Sequence, residues 1–202
     1  QDMDKNLLRV MSDHENICNY IHLPLQAGSD RILNRMNRTY SKNEYLLLVD
    51  IIRKYLPNCA ISTDIIVGFP GEGDKEFSEL LDFIQDVQFD RLGVFTYSEE
   101  EGTHGAETFE DDVPAKLKDE RKEQVMLLQQ SINFKKNKAL VGTTQRVLID
   151  MCNDQGTSLG RTYRDSPEID NYVKIKQKIE PGTFCDVKIT KAMEYDLIGE
   201  VC

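Results

Sequence analysis

Apolar residues along the first two thirds of the chain recur with two alternating periods. Residues 17–26, ICNYIHLPLQ, read as a strand, and a short helical turn is expected over 30–37. Ser41, followed three residues on by Glu44, has the form of a capping box. Tyr45, Leu48, Val49, Ile52, Tyr55 and Leu56 then keep a helical period until Pro57 stops it. The apolar run 60–69 (AISTDIIVGF) predicts a strand and PGEGD a turn. Phe77, Leu80, Leu81, Ile84 and Val87 predict a second amphipathic helix, and 91–97 (RLGVFTY) a third strand. After an acidic loop, Pro114 opens a long helix with Leu117, Val125, Leu128 and Ile132 on one side. Strands separated by helices of this length imply βαβ units and a parallel sheet.

The pattern changes after Gly142. Five short strands are expected at 144–151, 157–164, 171–176, 183–190 and 195–201, separated by the turn signals DQG, DSPEID and EPG. Five short strands in about sixty residues fit a small OB-like antiparallel barrel. The chain is therefore α/β in its first unit, residues 1–140, and all-β in its second, residues 141–202.

Helix-covered parallel strands are ordinarily apolar on both faces, and these are not. Side chains alternate along a strand, so Ile21, Leu23 and Leu25 share one face while Tyr20, His22 and Gln26 share the other. In the next strand Ile61, Thr63, Ile65 and Val67 oppose Ser62 and Asp64. A carboxylate inside a strand is costly unless it is paired. Two strands with one polar face each point to a barrel or half-barrel with an occupied, polar lumen. Each of these polar residues taken alone also fits a plain hydrogen-bonded structural role. Gly28 follows the first strand, and Gly68 and Gly71 flank Phe69-Pro70 after the second. Those are the C-terminal strand ends, where (β/α) barrels keep their active sites.

Charge and cysteine usage narrow the chemistry. The formal net charge is −10, from 35 acids and 25 bases, which suits a basic protein partner better than a phosphate backbone. Cysteines stand at 18, 59, 152, 185 and 202, none at CxxC or CxxxC spacing, and His14, His22 and His104 are scattered. No metal site is expected from them. No segment matches GxGxxG or the P-loop. No apolar run approaches the ~18 residues of a membrane span, and QDMDKNLLRV lacks the apolar core of a signal peptide. A cytoplasmic location is the expectation.

The motifs HLPLQAGSDRILNRMNR (22–38), STDIIVGFPGE (62–72) and FTYSEEEGT (95–103) resemble those of radical SAM methylthiotransferases. GRTYRDSPEIDN (160–171) and EYDLIGE (194–200) resemble that family's C-terminal TRAM domain, so the resemblance runs through nearly the whole chain. It implies the later part of a radical SAM (β/α) barrel followed by a TRAM domain. It further implies S-adenosylmethionine as cofactor, with 4Fe-4S clusters held elsewhere, in an N-terminal domain of the same polypeptide and in a CxxxCxxC loop that this sequence does not contain. On this expectation the chain by itself is inactive, the cluster ligands are not among its residues, and no catalytic residue is assigned. Gln26, Ser29, Ser62, Asp64 and Gly68, within the matching motifs, are the expected cofactor-binding residues.

Two branches of that family compete, one modifying an aspartate of ribosomal protein S12 and the other an adenosine of tRNA. The front motifs resemble the tRNA branch at least as well; YSEEEGT and GRTYRDSPEIDN resemble the S12 branch more strongly. Residues 141–202 hold ten acids against eight bases, the wrong balance for gripping tRNA. S12 is therefore the expected partner, tRNA the alternative, with no membrane involved. Glu99, Glu100 and Glu101 in the acidic loop and Arg161, Tyr163 and Arg164 in the small barrel are the expected substrate-contacting residues. A non-catalytic RNA- or ribosome-binding module, using Arg161, Tyr163 and Arg164 to stack and pair, is the reading of a different class.

Overall fold

A computed structural model describes residues 3–202; Gln1 and Asp2, where the first expected unit begins, lie outside it. Helix α1 (Lys5–Asp13), which the pattern reading had not anticipated, starts at Asp4, whose carboxylate accepts from the Leu7 N–H at 2.8 Å. It buries Leu8 and Met11, three residues apart and so on one face. Strand β1 (Tyr20–His22), helix α2 (Asp30–Arg35), helix α3 (Lys42–Tyr55) and strand β2 (Ala60–Val67) follow. Next come helix α4 (Asp74–Val87), strand β3 (Arg91–Thr96), the short helix α5 (His104–Thr108) and the long helix α6 (Ala115–Leu140). The capping box of α3 is formed: Ser41 Oγ accepts from Glu44 N and Glu44 Oε2 from Ser41 N.

The sheet is parallel in the order β1-β2-β3. The first strand is shorter than its apolar stretch foretold. Pro24 has no N–H to give the ladder, and the Leu25 N–H turns to the Thr63 hydroxyl instead of a carbonyl. Pairing returns for one bridge, Gln26 with Ile65. Ile21, Ile61, Ile65 and Val67 face the helices and join Leu25, Val49, Ile52, Leu80 and Ile84 in the main core.

Helix α6 does not bury the plain apolar stripe its sequence promised. Val125 and Ile132 are buried, but so are Lys118, Arg121, Gln129, Asn133 and Asn137. These polar groups reach backbone and carboxylates of neighbouring segments. Gln129 donates to Phe89 O, Asn137 to Met193 O and Tyr195 O, and Arg121 to Glu72. The helix thus ties the sheet's loops to the second unit.

After Leu140, strands β4 (Thr144–Cys152), β5 (Ser158–Arg161), β6 (Val173–Ile175), β7 (Phe184–Ala192) and β8 (Leu197–Val201) close into a barrel in the order β4-β5-β6-β8-β7. Its core is Val147, Ile149, Val173, Ile175, Val187, Ile189 and Leu197. An antiparallel barrel was expected, and four of the five pairings are antiparallel, but β6 and β8 run parallel. A closed ring of five strands cannot alternate direction all the way round, so one parallel pair must occur.

Between the units, Asp90, at the start of β3, takes the central place. Its Oδ2 accepts the Ile61 N–H at 3.0 Å, and its Oδ1 lies 2.8 Å from Lys136 Nζ and 3.4 Å from Arg164 Nη1. Arg91 pairs with Asp165, and the Ser166 hydroxyl donates to Tyr20 Oη at 3.0 Å. The β5–β6 connection of the barrel is thereby fastened to the N-terminal ends of the parallel strands.

Candidate cofactor and substrate site

The face of the sheet turned away from the core carries the polar residues. In register, His22 lies beside Ser62 and Ser62 beside Arg91; one step on, Asp64 lies beside Gly93 and Ile66 beside Phe95. His22 Nδ1 is 2.8 Å from Ser62 Oγ and its Nε2 3.3 Å from Asp64 Oδ2. The neutral tautomer protonated on Nε2 satisfies both contacts, donating to Asp64 and accepting from the Ser62 hydroxyl. Asp64 keeps 39% of its side chain exposed, so its carboxylate is oriented from one side and open from the other. A Cβ on Gly93 would stand 2.6 Å from Asp64 Oδ1, so only glycine leaves the carboxylate that space.

Above Asp64, at the C-terminal strand ends, opens a cavity of about 520 Å³. Its floor and walls include Gln26, Asp64, Ile66, Phe69, Phe95 and Tyr97, and its rim Arg38, Glu100 and His104. Gln26 has left-handed backbone (φ 70°), which a non-glycine residue holds at a cost and which recurs at ligand sites. Its N–H donates to Asp64 O and its carbonyl accepts from Ile66 N, so the strained residue is clamped on β2. Phe95 is 55% exposed on this face.

One wall is aromatic. Phe69 and Tyr97 meet edge-on at 4.9 Å and Phe69 meets Phe109 at 6.2 Å. Gly105 of α5 packs into this group: a Cβ there would be 3.0 Å from the Tyr97 oxygen. That oxygen is buried without a hydrogen-bond partner, and burial, then the Glu99 and Asp111 charges, push the phenol above its ordinary range. Beneath the glycine turn, the Gly68 N–H donates to Glu72 Oε1 at 2.8 Å, and Arg121 pairs with the same carboxylate at 3.0 Å. Burial pushes the Glu72 carboxyl above its ordinary range, against the pull of the Gly68 N–H and Arg121.

Of the expected cofactor residues, Gln26 and Asp64 line the cavity, and Ser62 sits one rung below, bonded to His22. Ser29 is buried at the start of α2, and the Gly68 N–H is occupied by Glu72; neither lines the cavity. Of the expected substrate residues, Glu99, Glu100 and Glu101 are exposed near the rim and Glu100 lines it. Arg161, Tyr163 and Arg164 are elsewhere. Arg161 pairs with Asp150, the Tyr163 hydroxyl donates to Asn58 O at 2.9 Å, and Arg164 reaches Asp90. Tyr163 and Arg164 sit at the opposite end of β2, an eight-residue strand of roughly 25 Å, and all three are engaged internally.

Sequence reasoning missed Arg38, Ile66, Phe95 and His104. Strand parity would have found two of them, since Ile66 shares a face with Asp64 and Phe95 pairs with Ile66. Among the described residues no group of three or more His, Cys, Asp or Glu can hold a metal, and all five cysteines are free. The residues present do not supply ligands for an iron-sulfur cluster. Among the described residues no helix is long and apolar enough to cross a membrane.

A parallel sheet with a polar inner face, opening at its C-terminal edge and joined to a small closed barrel, defines the class. Residues 2–84 match the radical SAM superfamily and residues 141–202 the TRAM domain. The front of the chain is thus a radical SAM domain and its last third a TRAM domain. It is 43% identical over 199 residues to the ribosomal protein uS12 methylthiotransferase RimO of Prosthecochloris aestuarii, covering 97% of this chain and 46% of that protein. It is 42% identical to the protein of the same name from Clostridium perfringens (97% and 44%), and 39% identical to that from Clostridioides difficile (100% and 46%). The chain spans about half the length of the curated relatives it matches. Coproporphyrinogen III oxidase from Escherichia coli, a radical SAM enzyme, shares the fold with a TM-score of 0.54 at 17% identity, over 66% of this chain and 31% of that one.

Proposed function

We propose that the chain is the C-terminal portion of a radical SAM methylthiotransferase that modifies an aspartate of ribosomal protein uS12. The observation that carries this reading is the likeness to uS12 methylthiotransferases over 97% of the chain at 43% identity. In this reading residues 1–140 form the later part of the catalytic barrel and 141–202 a TRAM domain, with the cluster-binding residues on a preceding domain of the same polypeptide. S-adenosylmethionine at a 4Fe-4S cluster supplies the hydrogen-abstracting chemistry when bound.

The chain's own residues bind and orient. Asp64, steadied by His22 and given room by Gly93, can accept hydrogen bonds donated by the hydroxyls of a ribose, the chemistry of a carboxylate open on one side. Ser62 fixes His22 from below. Ile66 and Phe95 offer apolar surface, and the aromatic wall of Phe69 and Tyr97 helps to exclude water. Glu99, Glu100 and Glu101 surround the entrance with negative charge, which attracts a basic ribosomal protein and repels a phosphate backbone.

Methylthiolation assays of the cluster-loaded full-length enzyme with uS12 and with tRNA test this. Transfer to uS12 with none to tRNA is expected. Transfer to tRNA alone overturns the substrate assignment.

A further inference from the structure

The cavity above Asp64 has one cation on its lining among the described residues, and its placement is specific. Helix α2 ends in the hydrogen-bond pattern of a Schellman motif. Asn37 takes the left-handed conformation (φ 56°) and donates to Asn34 O at 3.0 Å, while the Arg38 N–H donates to Leu33 O at 2.9 Å. The backbone of Arg38 is thus fixed by the helix end, and its side chain projects to the cavity rim. Arg38 is exposed and makes no ion pair among the described residues. Arg31, Arg35 and Lys42 nearby are committed, to Glu76 and Gly71 O, to Pro70 O, and to Glu79 respectively.

The rest of the lining among the described residues is uncharged or acidic, with Asp64 at the floor and Glu100 at the rim carrying its other formal charges. A guanidinium facing a mostly neutral cavity binds a carboxylate well, because its planar fork matches the two oxygens. A polyphosphate or nucleic-acid backbone would instead meet Asp64, Glu100 and the Glu99–Glu101 run.

We infer that Arg38 is the carboxylate-binding residue of the substrate pocket and holds the side-chain carboxylate of the substrate aspartate. This rests on the proposed function above. The carboxyl carbon of aspartate is bonded directly to Cβ, its only side-chain methylene. A two-point grip on the carboxylate therefore positions the carbon to be modified. Asparagine, which keeps the shape and loses the charge, is bound less well.

The test compares two uS12 peptides, one with the modified aspartate and one with asparagine in its place, binding to the cluster-loaded full-length enzyme. The wild type is expected to favour the aspartate peptide by about tenfold or more, the worth of a charge-assisted pair. R38Q is expected to bind both peptides equally, and R38K to recover part of the preference. S-adenosylmethionine affinity and melting temperature should be unchanged in R38Q, since Arg38 makes no ion pair among the described residues. An unchanged peptide preference in R38Q overturns the inference. Loss of S-adenosylmethionine binding with peptide preference kept also overturns it, and gives Arg38 to the cofactor's own carboxylate. Both outcomes leave the proposed function standing, whereas modification of tRNA alone by the wild type removes that function and the inference together.

Discussion

Gly93 faces Asp64 across the β2–β3 ladder so closely that a Cβ on the glycine would stand 2.6 Å from Asp64 Oδ1. The carboxylate occupies the space a side chain would take. Gly93→Ala is therefore expected to push Asp64 off His22 and out of its position at the cavity floor. Overpacking at one site of this kind costs about 1–3 kcal/mol. The larger loss should be in S-adenosylmethionine binding to the cluster-loaded full-length enzyme. Asp64→Ala, which removes the carboxylate and the crowding together, should lose cofactor binding and slow cofactor cleavage with a smaller drop in melting temperature. Equal loss of stability and cofactor binding in Asp64→Ala would make the carboxylate a structural group only.

Asp90 holds the two units together through one carboxylate, which faces Lys136 and Arg164 and accepts the Ile61 N–H. Burial lowers the Lys136 ammonium's affinity for its proton, and the nearby Arg53 and Arg164 charges add to this, while Asp90 opposes it. Asp90→Ala leaves these cations facing one another without a counter-charge. The expected cost is about 3 kcal/mol or more, the usual consequence of orphaning a buried partner. Urea unfolding followed by far-ultraviolet circular dichroism should show a lower midpoint, and separate transitions for sheet and barrel. Asp90→Asn keeps an acceptor for Ile61 and should retain part of the loss. A single transition with an unchanged midpoint would show that the contact carries no coupling.

The Cys59 thiol, just before β2, is pushed up to about 11 by burial, with the Asp90 charge adding and Arg164 opposing. The folded state therefore holds this proton more tightly than the unfolded state. The stabilisation it brings is complete below the ordinary thiol range and is lost as pH rises towards about 11. The slope is at most about 1.4 kcal/mol per pH unit. Cys59→Ala should remove that part of the alkaline loss, measured as the difference in unfolding free energy between pH 8 and pH 10. At pH 8, iodoacetamide should label the exposed Cys18 and Cys202 well before Cys59.

The elements with strong local signals were readable in the chain itself. The Ser41–Glu44 box, the Pro57 stop and the apolar run of β2 each formed where the residues placed them. The alternation of Ile61, Thr63, Ile65 and Val67 with Ser62 and Asp64 already separated a core face from a polar one. What stayed hidden depends on long-range pairing. The partners of Arg161, Tyr163 and Arg164 lie at Asp150, Asn58 and Asp90. From sequence alone three neighbouring basic and aromatic residues looked like a binding face. Arg38 was hidden for the opposite reason: its importance comes from a helix end and a cavity, neither of which has a residue signature. Helix α5 was masked by the acidic residues around it, although Thr103 caps it through Ala106 N at 3.4 Å.

The acidic loop offers the most direct test of substrate choice. Residues 99–112 hold Glu99, Glu100, Glu101, Glu107, Glu110, Asp111 and Asp112 and no lysine or arginine. Two of the seven carboxylates, though on exposed residues, serve the fold: Asp111 pairs with Lys118, and Asp112 accepts the Gly71 N–H at 2.6 Å. Glu99, Glu100 and Glu101 form no such contact through their side chains among the described residues, and all three are exposed. Replacing these three by lysine should therefore leave the melting temperature almost unchanged, because surface charges without partners contribute little. It should slow association with uS12 by about tenfold at low salt, since charge of one sign around an entrance acts mainly on the encounter rate. The difference from wild type should shrink as ionic strength rises and the Debye length falls below about 8 Å. Surface plasmon resonance of the full-length enzyme on immobilised uS12, at several salt concentrations, separates association from dissociation. An unchanged association rate would reduce the loop to a solvated surface, and a gain of tRNA binding without loss of uS12 binding would remove it from substrate choice altogether.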